Sequence, residues 1–226
     1  MPAKTCVFDA YGTLFDVGAA ARELSERPGF EAFKPHWQKV ALDWRNKQLQ
    51  YTWLRAVTGD HTDFWEVTKN GLDWALEASD LSDPNLREEL LALYWNLSAY
   101  PEAAKVLSDL KSMGCTTAIL SNGSPDMLSA AVSSAGLDAL LDDTLSVESV
   151  GVFKPNATVY NLVGERFGVA NSEVLFVSAN GWDAGCATAY GFETAWINRM
   201  GEPVDRLPGV PAHQLSDLNG IPGLAS

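Results

Sequence analysis

Histidine and cysteine are scarce in this chain of 226 residues. The three histidines, His36, His61 and His213, share no metal-ligand spacing, and the three cysteines, Cys6, Cys115 and Cys186, form an odd count without a CxxC pair. A histidine-based metal centre, a Ser-His-Asp triad and a disulfide framework therefore have few parts available, and reduced, buried thiols suit the cysteines best. Positive charge is also thin: 16 Lys and Arg stand against 29 Asp and Glu, a formal net charge of −13. No basic stripe exists to neutralise phosphates, which argues against nucleic-acid binding, and an anionic ligand would need individual Arg or Lys side chains in its pocket. No apolar run approaches the ~20 residues of a membrane span, and residues 1–20 lack the basic start and apolar middle of a secretory signal. A cytoplasmic protein with no membrane partner is expected.

The chain does contain a series of short apolar segments that stop at polar residues. Residues 6–8, 116–120, 174–177 and 194–197 read as buried strands. Helical patterns lie between them at 101–113, 125–135, 157–167 and 183–190, followed by the stop glycines Gly114, Gly136, Gly168 and Gly191. Strand alternating with helix predicts an α/β fold, a doubly wound parallel sheet. Residues 17–98 break that rhythm, being helical by pattern throughout and rich in tryptophan. Within "HWQKVALDWRNKQLQYTWL", Trp37, Val40, Ala41, Trp44 and Tyr51 keep helical spacing while Leu42, Leu49 and Trp53 form a second apolar line, so this helix is expected to pack on both sides. The predicted organisation is an α/β core domain of residues 1–16 and 99–226 with a helical cap domain, 17–98, inserted after the first strand. The C-terminal 20 or so residues read as loop and a short closing element.

In open parallel sheets, ligands bind in the crevice beyond the carboxyl ends of the strands. Asp9 to Thr13 follows the first strand, "SNGS" from Ser121 follows the second, and "SANGWDAG" from Ser178 follows the next, while "FKP" around Lys154 approaches on another loop. Together they place carboxylates, hydroxyls, amides and a lysine in one crevice, which is an active-site inventory. Each residue also has a structural alternative. Asp9 could cap a turn, Gly12 could serve only the backbone, and Ser121, Asn122 and Asp183 could cap helices. Lys154 could be a solvated loop lysine, and Arg45, flanked on its helix by Leu42 and Leu49, could be a snorkelling side chain. Convergence at neighbouring strand ends favours the chemical reading.

"FDAYGTLFDV", "WRNKQLQYTWL", "ILSNGSP", "VFKP" and "FVSANGWDA" resemble the signature segments of the haloacid dehalogenase superfamily, and within it the L-2-haloacid dehalogenases, over residues 7–198. The strand-end motifs carry the superfamily, which also holds phosphatases. The cap segment and "SANGWDA" carry the narrower likeness. The resemblance implies a Rossmann-like core with a cap, a homodimer, and hydrolytic dehalogenation of short L-2-haloalkanoic acids to D-2-hydroxy acids through an ester on the enzyme, with inversion at C2.

By this resemblance Asp9 is the nucleophile, favoured in its ionised form by the Lys154 ammonium. Ser121 and the backbone N–H groups near Ala10, Tyr11 and Asn122 would receive the substrate carboxylate, and Arg45 and Asn122 the halide. Tyr11, Leu49, Phe64 and Trp182 would line an apolar pocket around the halogen-bearing carbon. Asp183, assisted by Lys154, Ser178 and Asn180, would activate or orient the hydrolytic water. Thr13 would orient Asp9, and Tyr160 would contact Lys154 or substrate. Asn46 and Ala179 depart from the family pattern as local changes beside these groups.

Phosphatases of the superfamily place a second Asp two residues after the nucleophile to protonate a leaving alcohol. Here that position is Tyr11, and halide, a weak base, needs no such proton. Asp16 lies too far along the chain to substitute and reads as a surface or capping acid. "SANGWDAG" offers only Asp183 as a charged ligand for magnesium, so the expected cofactor complement is none, metal included. The remaining rivals are a magnesium-dependent phosphatase and a catalytically inactive binding protein on the same scaffold.

Overall fold

The structure, a computed structural model, describes residues 5–225. Residues 1–4 and 226, assigned to the core on sequence, lie outside the described residues. Six strands, β1 (Thr5–Phe8), β2 (Thr116–Ser121), β3 (Asp143–Ser146), β4 (Val174–Ser178), β5 (Glu193–Ile197) and β6 (His213–Leu215), pair parallel in the order β3-β2-β1-β4-β5-β6. β1 and β4 are buried along their whole length, as their continuous apolar sequences require when helices cover both faces. The strand order reverses between β1 and β4, and a crevice opens where the two adjacent strands send their connections apart. The segment after β1 begins at Asp9, and the segment after β4 begins at Ala179.

The edge strands β3 and β6 were not predicted. Their sequences, DTLS and HQL, are mostly polar because each has a neighbour on one side only and stays partly exposed. β6 also replaces the loop expected near the C-terminus, ahead of the short helix Ile221–Leu224.

Between β1 and β2 the chain forms α1 (Ala19–Ser25), α2 (Trp37–Thr58), α3 (Phe64–Glu77) and α4 (Pro84–Trp95). The helical reading of this stretch holds, and clear punctuation divides it into separate helices. Turns fill 26–36, Gly59 closes α2 in the left-handed region (φ +72°), Asp63 caps α3 through the Trp65 and Glu66 N–H groups, and Asp83-Pro84 opens α4. α5 (Ala103–Ser112), α6 (Pro125–Ser134), α7 (Ala157–Phe167) and α8 (Gly181–Tyr190) complete the helices around the sheet.

α2 packs along α3 through Val40, Trp44, Gln48 and Thr52, spaced one helical turn apart. Gly71 makes the approach close, since a Cβ there would stand 3.3 Å from Trp44 and from the Gln48 backbone. The second apolar line is packed only in part: Leu42 is 62% exposed, whereas Trp53, 38% exposed, meets Trp182 of α8 edge-on at 5.4 Å. α2 also touches α1, and the sheet-facing part of its second line, Leu49, lines the cavity described below. Among the described residues, no helix is long and apolar enough to cross a membrane.

Candidate active site

Asp9 stands one residue beyond β1, and both of its carboxylate oxygens are held. Thr13 Oγ1 donates to Oδ2 (3.0 Å), Asn180 Nδ2 donates to the same oxygen (2.9 Å), and Lys154 Nζ donates to Oδ1 (3.1 Å). Thr13 can do this because Gly12, at φ +96°, turns the chain back on itself, and its hydroxyl oxygen in turn accepts from the Ala179 N–H (2.8 Å). The ends of β1 and β4 are thereby tied together across the switch point.

Lys154 is not a solvated loop lysine. It is 1% exposed, its backbone N–H donates to Asn122 Oδ1 (2.9 Å), and its ammonium bridges Asp9 and Asp183 Oδ2 (2.9 Å). Asp183 lies in the first turn of α8, fully buried, and does not cap the helix; Asn180 occupies the cap position. Its Oδ2 also accepts from Ser178 Oγ (3.0 Å) and its Oδ1 from Tyr160 OH (2.8 Å). The expected contact of Tyr160 with Lys154 or substrate is corrected accordingly. Its ring is enclosed by Phe176, Tyr190 and Phe192, which leaves only the hydroxyl to reach the carboxylate.

Burial alone would lower the Lys154 pKa, but the Asp183 and Asp9 carboxylates outweigh it and raise the ammonium's pKa above the ordinary lysine value. Burial raises the Asp183 carboxyl, against the pull of Lys154. The two directions compete over one ion pair, and the hydrogen bonds decide it. Lys154, Ser178 and Tyr160 all donate to Asp183, an arrangement that only the ionised carboxylate accepts in full. Burial likewise raises Tyr11, so its phenol stays neutral and cannot serve as a carboxylic acid would.

The cap supplies the opposite wall. Arg45 Nη2 donates to the Tyr11 carbonyl and to Asn180 Oδ1, both at 3.0 Å, and Nη1 donates to Gln48 Oε1 (2.8 Å). The apolar flank expected from Leu42 is absent, because Leu42 points outward. Asp9, Tyr11, Arg45, Leu49, Phe64, Ser121, Asn122, Lys154, Asn180 and Trp182 together enclose an empty volume of about 250 Å³. Tyr11 is fixed by stacking on Tyr94 (5.8 Å) and by Phe64 (5.7 Å). Gly123 lets the ring lie against the β2 loop, since a Cβ there would come within 2.7 Å of it.

Ser121 and Asn122 line this cavity and do not cap α6, whose cap position is Ser124. Ser121 Oγ accepts from the Gly123 N–H (3.0 Å), which leaves its own proton for a ligand. Asn122 spends its oxygen on Lys154, so its Nδ2 is the end free to donate. Ala10 is buried and its carbonyl accepts from the Thr13, Leu14 and Phe15 N–H groups, which shapes the turn. Asp16 is outside the site, bonded to the Gly18 N–H and to Arg22.

A model of the haloacid dehalogenase-like hydrolases matches residues 3–191. (S)-2-haloacid dehalogenase 1 of Pseudomonas sp. (strain CBS-3) is 42% identical over 224 residues, covering 99% of this chain and 96% of that protein. The chain belongs to the haloacid dehalogenase superfamily. Its relatives include the (S)-2-haloacid dehalogenase of Xanthobacter autotrophicus, 44% identical over 200 residues, with coverage of 88% of this chain and 76% of that one. The solved structure of the L-2-haloacid dehalogenase from Xanthobacter autotrophicus with chloropropionic acid covalently bound superposes with a TM-score of 0.87 at 36% identity, covering 98% and 97% of the two chains. The polar groups of the sheet wall lie at strand ends or on the loops and helix turns beyond them.

Three site-supporting residues escaped the sequence reading: Gln48, Thr68 and Tyr94. All are buried, and they form the hydrogen-bonded backing of Arg45. The signal available was a polar residue on the buried stripe of α2, at i+4 from Trp44.

Proposed function

We propose that this chain is an (S)-2-haloacid dehalogenase, converting short L-2-haloalkanoic acids to D-2-hydroxy acids and halide. The observation that carries the reading is the setting of Asp9. Its carboxylate is held at both oxygens, a buried ammonium lies at 3.1 Å, and a tyrosine stands where a phosphatase needs its acid. In the first step an Asp9 oxygen attacks C2 from the side opposite the halogen. The C–O bond forms as the carbon–halogen bond breaks, the halide leaves with the bonding pair, and C2 inverts. Ser121 and the N–H groups near Ala10, Tyr11 and Asn122 hold the substrate carboxylate, while Arg45 and the Asn122 Nδ2 receive the halide. Tyr11, Leu49, Phe64 and Trp182 enclose the reacting carbon.

In the second step water adds to the Asp9 carboxyl carbon and the acyl–oxygen bond breaks, so that the hydroxy acid keeps the original Asp9 oxygen. Asp183 is the carboxylate that takes up the water's proton and returns it to the departing 2-oxygen as the acyl–oxygen bond breaks, with Ser178 and Asn180 orienting the water and Lys154 balancing the charge. Thr13 and Tyr160 act by holding Asp9 and Asp183. The Lys154 ammonium sits between the two carboxylates, and metal-independent turnover is expected. We assign residues 1–16 and 99–226 to the core and 17–98 to the cap, and expect a cytoplasmic homodimer.

Chloride release from L-2-chloropropionate, unaffected by EDTA and absent with the D enantiomer, is the expected result. Hydrolysis of phosphate esters only with magnesium would replace this reading by a phosphatase, and neither activity would leave a binding protein. Single turnover in oxygen-18 water is expected to label Asp9 and leave the product unlabelled.

A further inference from the structure

The direction of Arg45 is decided by a side chain that takes no part in the chemistry above. Gln48 lies one turn along α2, is 1% exposed, does not line the cavity, and accepts from Arg45 Nη1 through Oε1. A primary amide can be turned either way, and the wrong way would present an NH2 group to a guanidinium. Thr68 on α3 removes that freedom. Its hydroxyl donates to the Phe64 carbonyl (2.7 Å), so toward Gln48 it can only accept, and Gln48 Nε2 stands 2.7 Å from Thr68 Oγ1. Tyr94 OH on α4 closes the arrangement at 3.0 Å from Nε2 and 3.2 Å from Oε1. Hydrogen-bond donation therefore runs one way, from Arg45 to Gln48 and from Gln48 through Thr68 to a backbone carbonyl. With Nη1 occupied behind it, the guanidinium reaches forward with Nη2 to Tyr11 and Asn180, and Asn180 continues to Asp9.

We propose that Gln48, oriented by Thr68, is a positioning residue that aims the Arg45 guanidinium at the departing halide. This rests on the dehalogenase reading and adds to it a source of halide affinity inside the cap. Gln48→Met keeps length and removes the acceptor. The inhibition constant for chloride and the KM for L-2-chloropropionate are expected to rise about tenfold or more, the scale of a lost hydrogen bond to a charged group. Gln48→Glu places an anion against Arg45 and withdraws the donor from Thr68. Chloride affinity is expected to fall furthest at neutral pH and to recover as pH falls and the introduced carboxyl protonates, a limb absent from the wild type. A merely structural role would lower Tm without creating that limb. Thr68→Val is expected to raise the chloride constant in the same direction by a smaller factor, and Thr68→Ser to restore it.

An active wild type whose chloride constant is unmoved by Gln48→Met and Thr68→Val would overturn this inference alone. A wild type that releases no halide would sink the dehalogenase reading and this inference with it. Should the Gln48 variants not fold, the Thr68→Val and Thr68→Ser pair decides: equal chloride constants overturn the proposal, and loss restored by serine supports it.

Discussion

The two walls of the cavity are built by different means. On the sheet wall, Asp9, Lys154 and Asp183 are buried and bonded to one another, and each is positioned by the end of a different strand or the loop beyond it. On the cap wall, a single cation, Arg45, extends from the flank of α2 and is aimed by neighbours on α2, α3 and α4, with apolar Leu49 and Phe64 beside it. In the proposed reaction the sheet wall would carry the reacting charges, in a geometry that topology dictates. The cap wall would receive the halide, in a geometry that helix packing adjusts. Substitutions on the first wall should cost chemistry and stability together, and those on the second should cost affinity.

The largest effect is expected from Asp9→Asn, which removes the nucleophile while keeping its shape. Chloride release should fall by more than about 10³-fold, the scale on which a covalent nucleophile is lost, and undiminished release would break the assignment of the sheet wall. Lys154→Met should both inactivate and destabilise. It leaves two buried carboxylates without their cation, a loss of about 3–5 kcal/mol that would lower Tm by on the order of 10 °C. The pH dependence sharpens the point. Because the folded-state pKa of Lys154 is raised, its contribution is complete below the ordinary lysine value of about 10.4 and is lost as pH rises through the higher folded value. Urea midpoints of wild type and Lys154→Met should therefore converge on the alkaline side and separate below it.

On the cap wall, Arg45→Lys keeps the charge but not the two-sided reach to Gln48 and Asn180. A fall of about 10–100-fold in kcat/KM is expected, with little change in Tm. Loss of stability as large as that of Lys154→Met would erase the distinction between the walls. The smallest effect is expected at the seam between them. Glu148, after β3, pairs with His61 Nε2 (2.9 Å) and accepts from the Phe64 N–H (3.3 Å) at the start of α3. Glu148→Gln should shift Tm by less than about 4 °C, as expected for a partly exposed pair worth under ~1 kcal/mol, and leave kcat within about twofold.

The same contrast governs what could be read from the chain. The four central strands and their polar ends were legible because apolar runs stopping at Asp9, Ser121 and Ser178 carry a local pattern. β3 and β6 were not, since edge strands need little apolar sequence. Gln48 and Thr68 look like ordinary polar helix residues until α2 and α3 close over them. Conversely, Leu42 and Trp53 look like core and face outward or toward Trp182, because hydrophobicity does not say which side of a helix has a neighbour.

Local order in the amino acids was enough to specify the alternation of strand and helix, the interruption by a cap, and the placement of an acid after the first strand without a companion two positions on. Only the folded molecule decided where each polar atom points: that Lys154 turns inward to bridge two acids, that Tyr160 serves Asp183, and that Arg45 is backed by Gln48. The bond from Asn180 to Asp9 joins residues 171 positions apart. Secondary structure follows from neighbours in the chain, whereas the direction of a buried side chain follows from partners that meet only after the sheet and cap have packed.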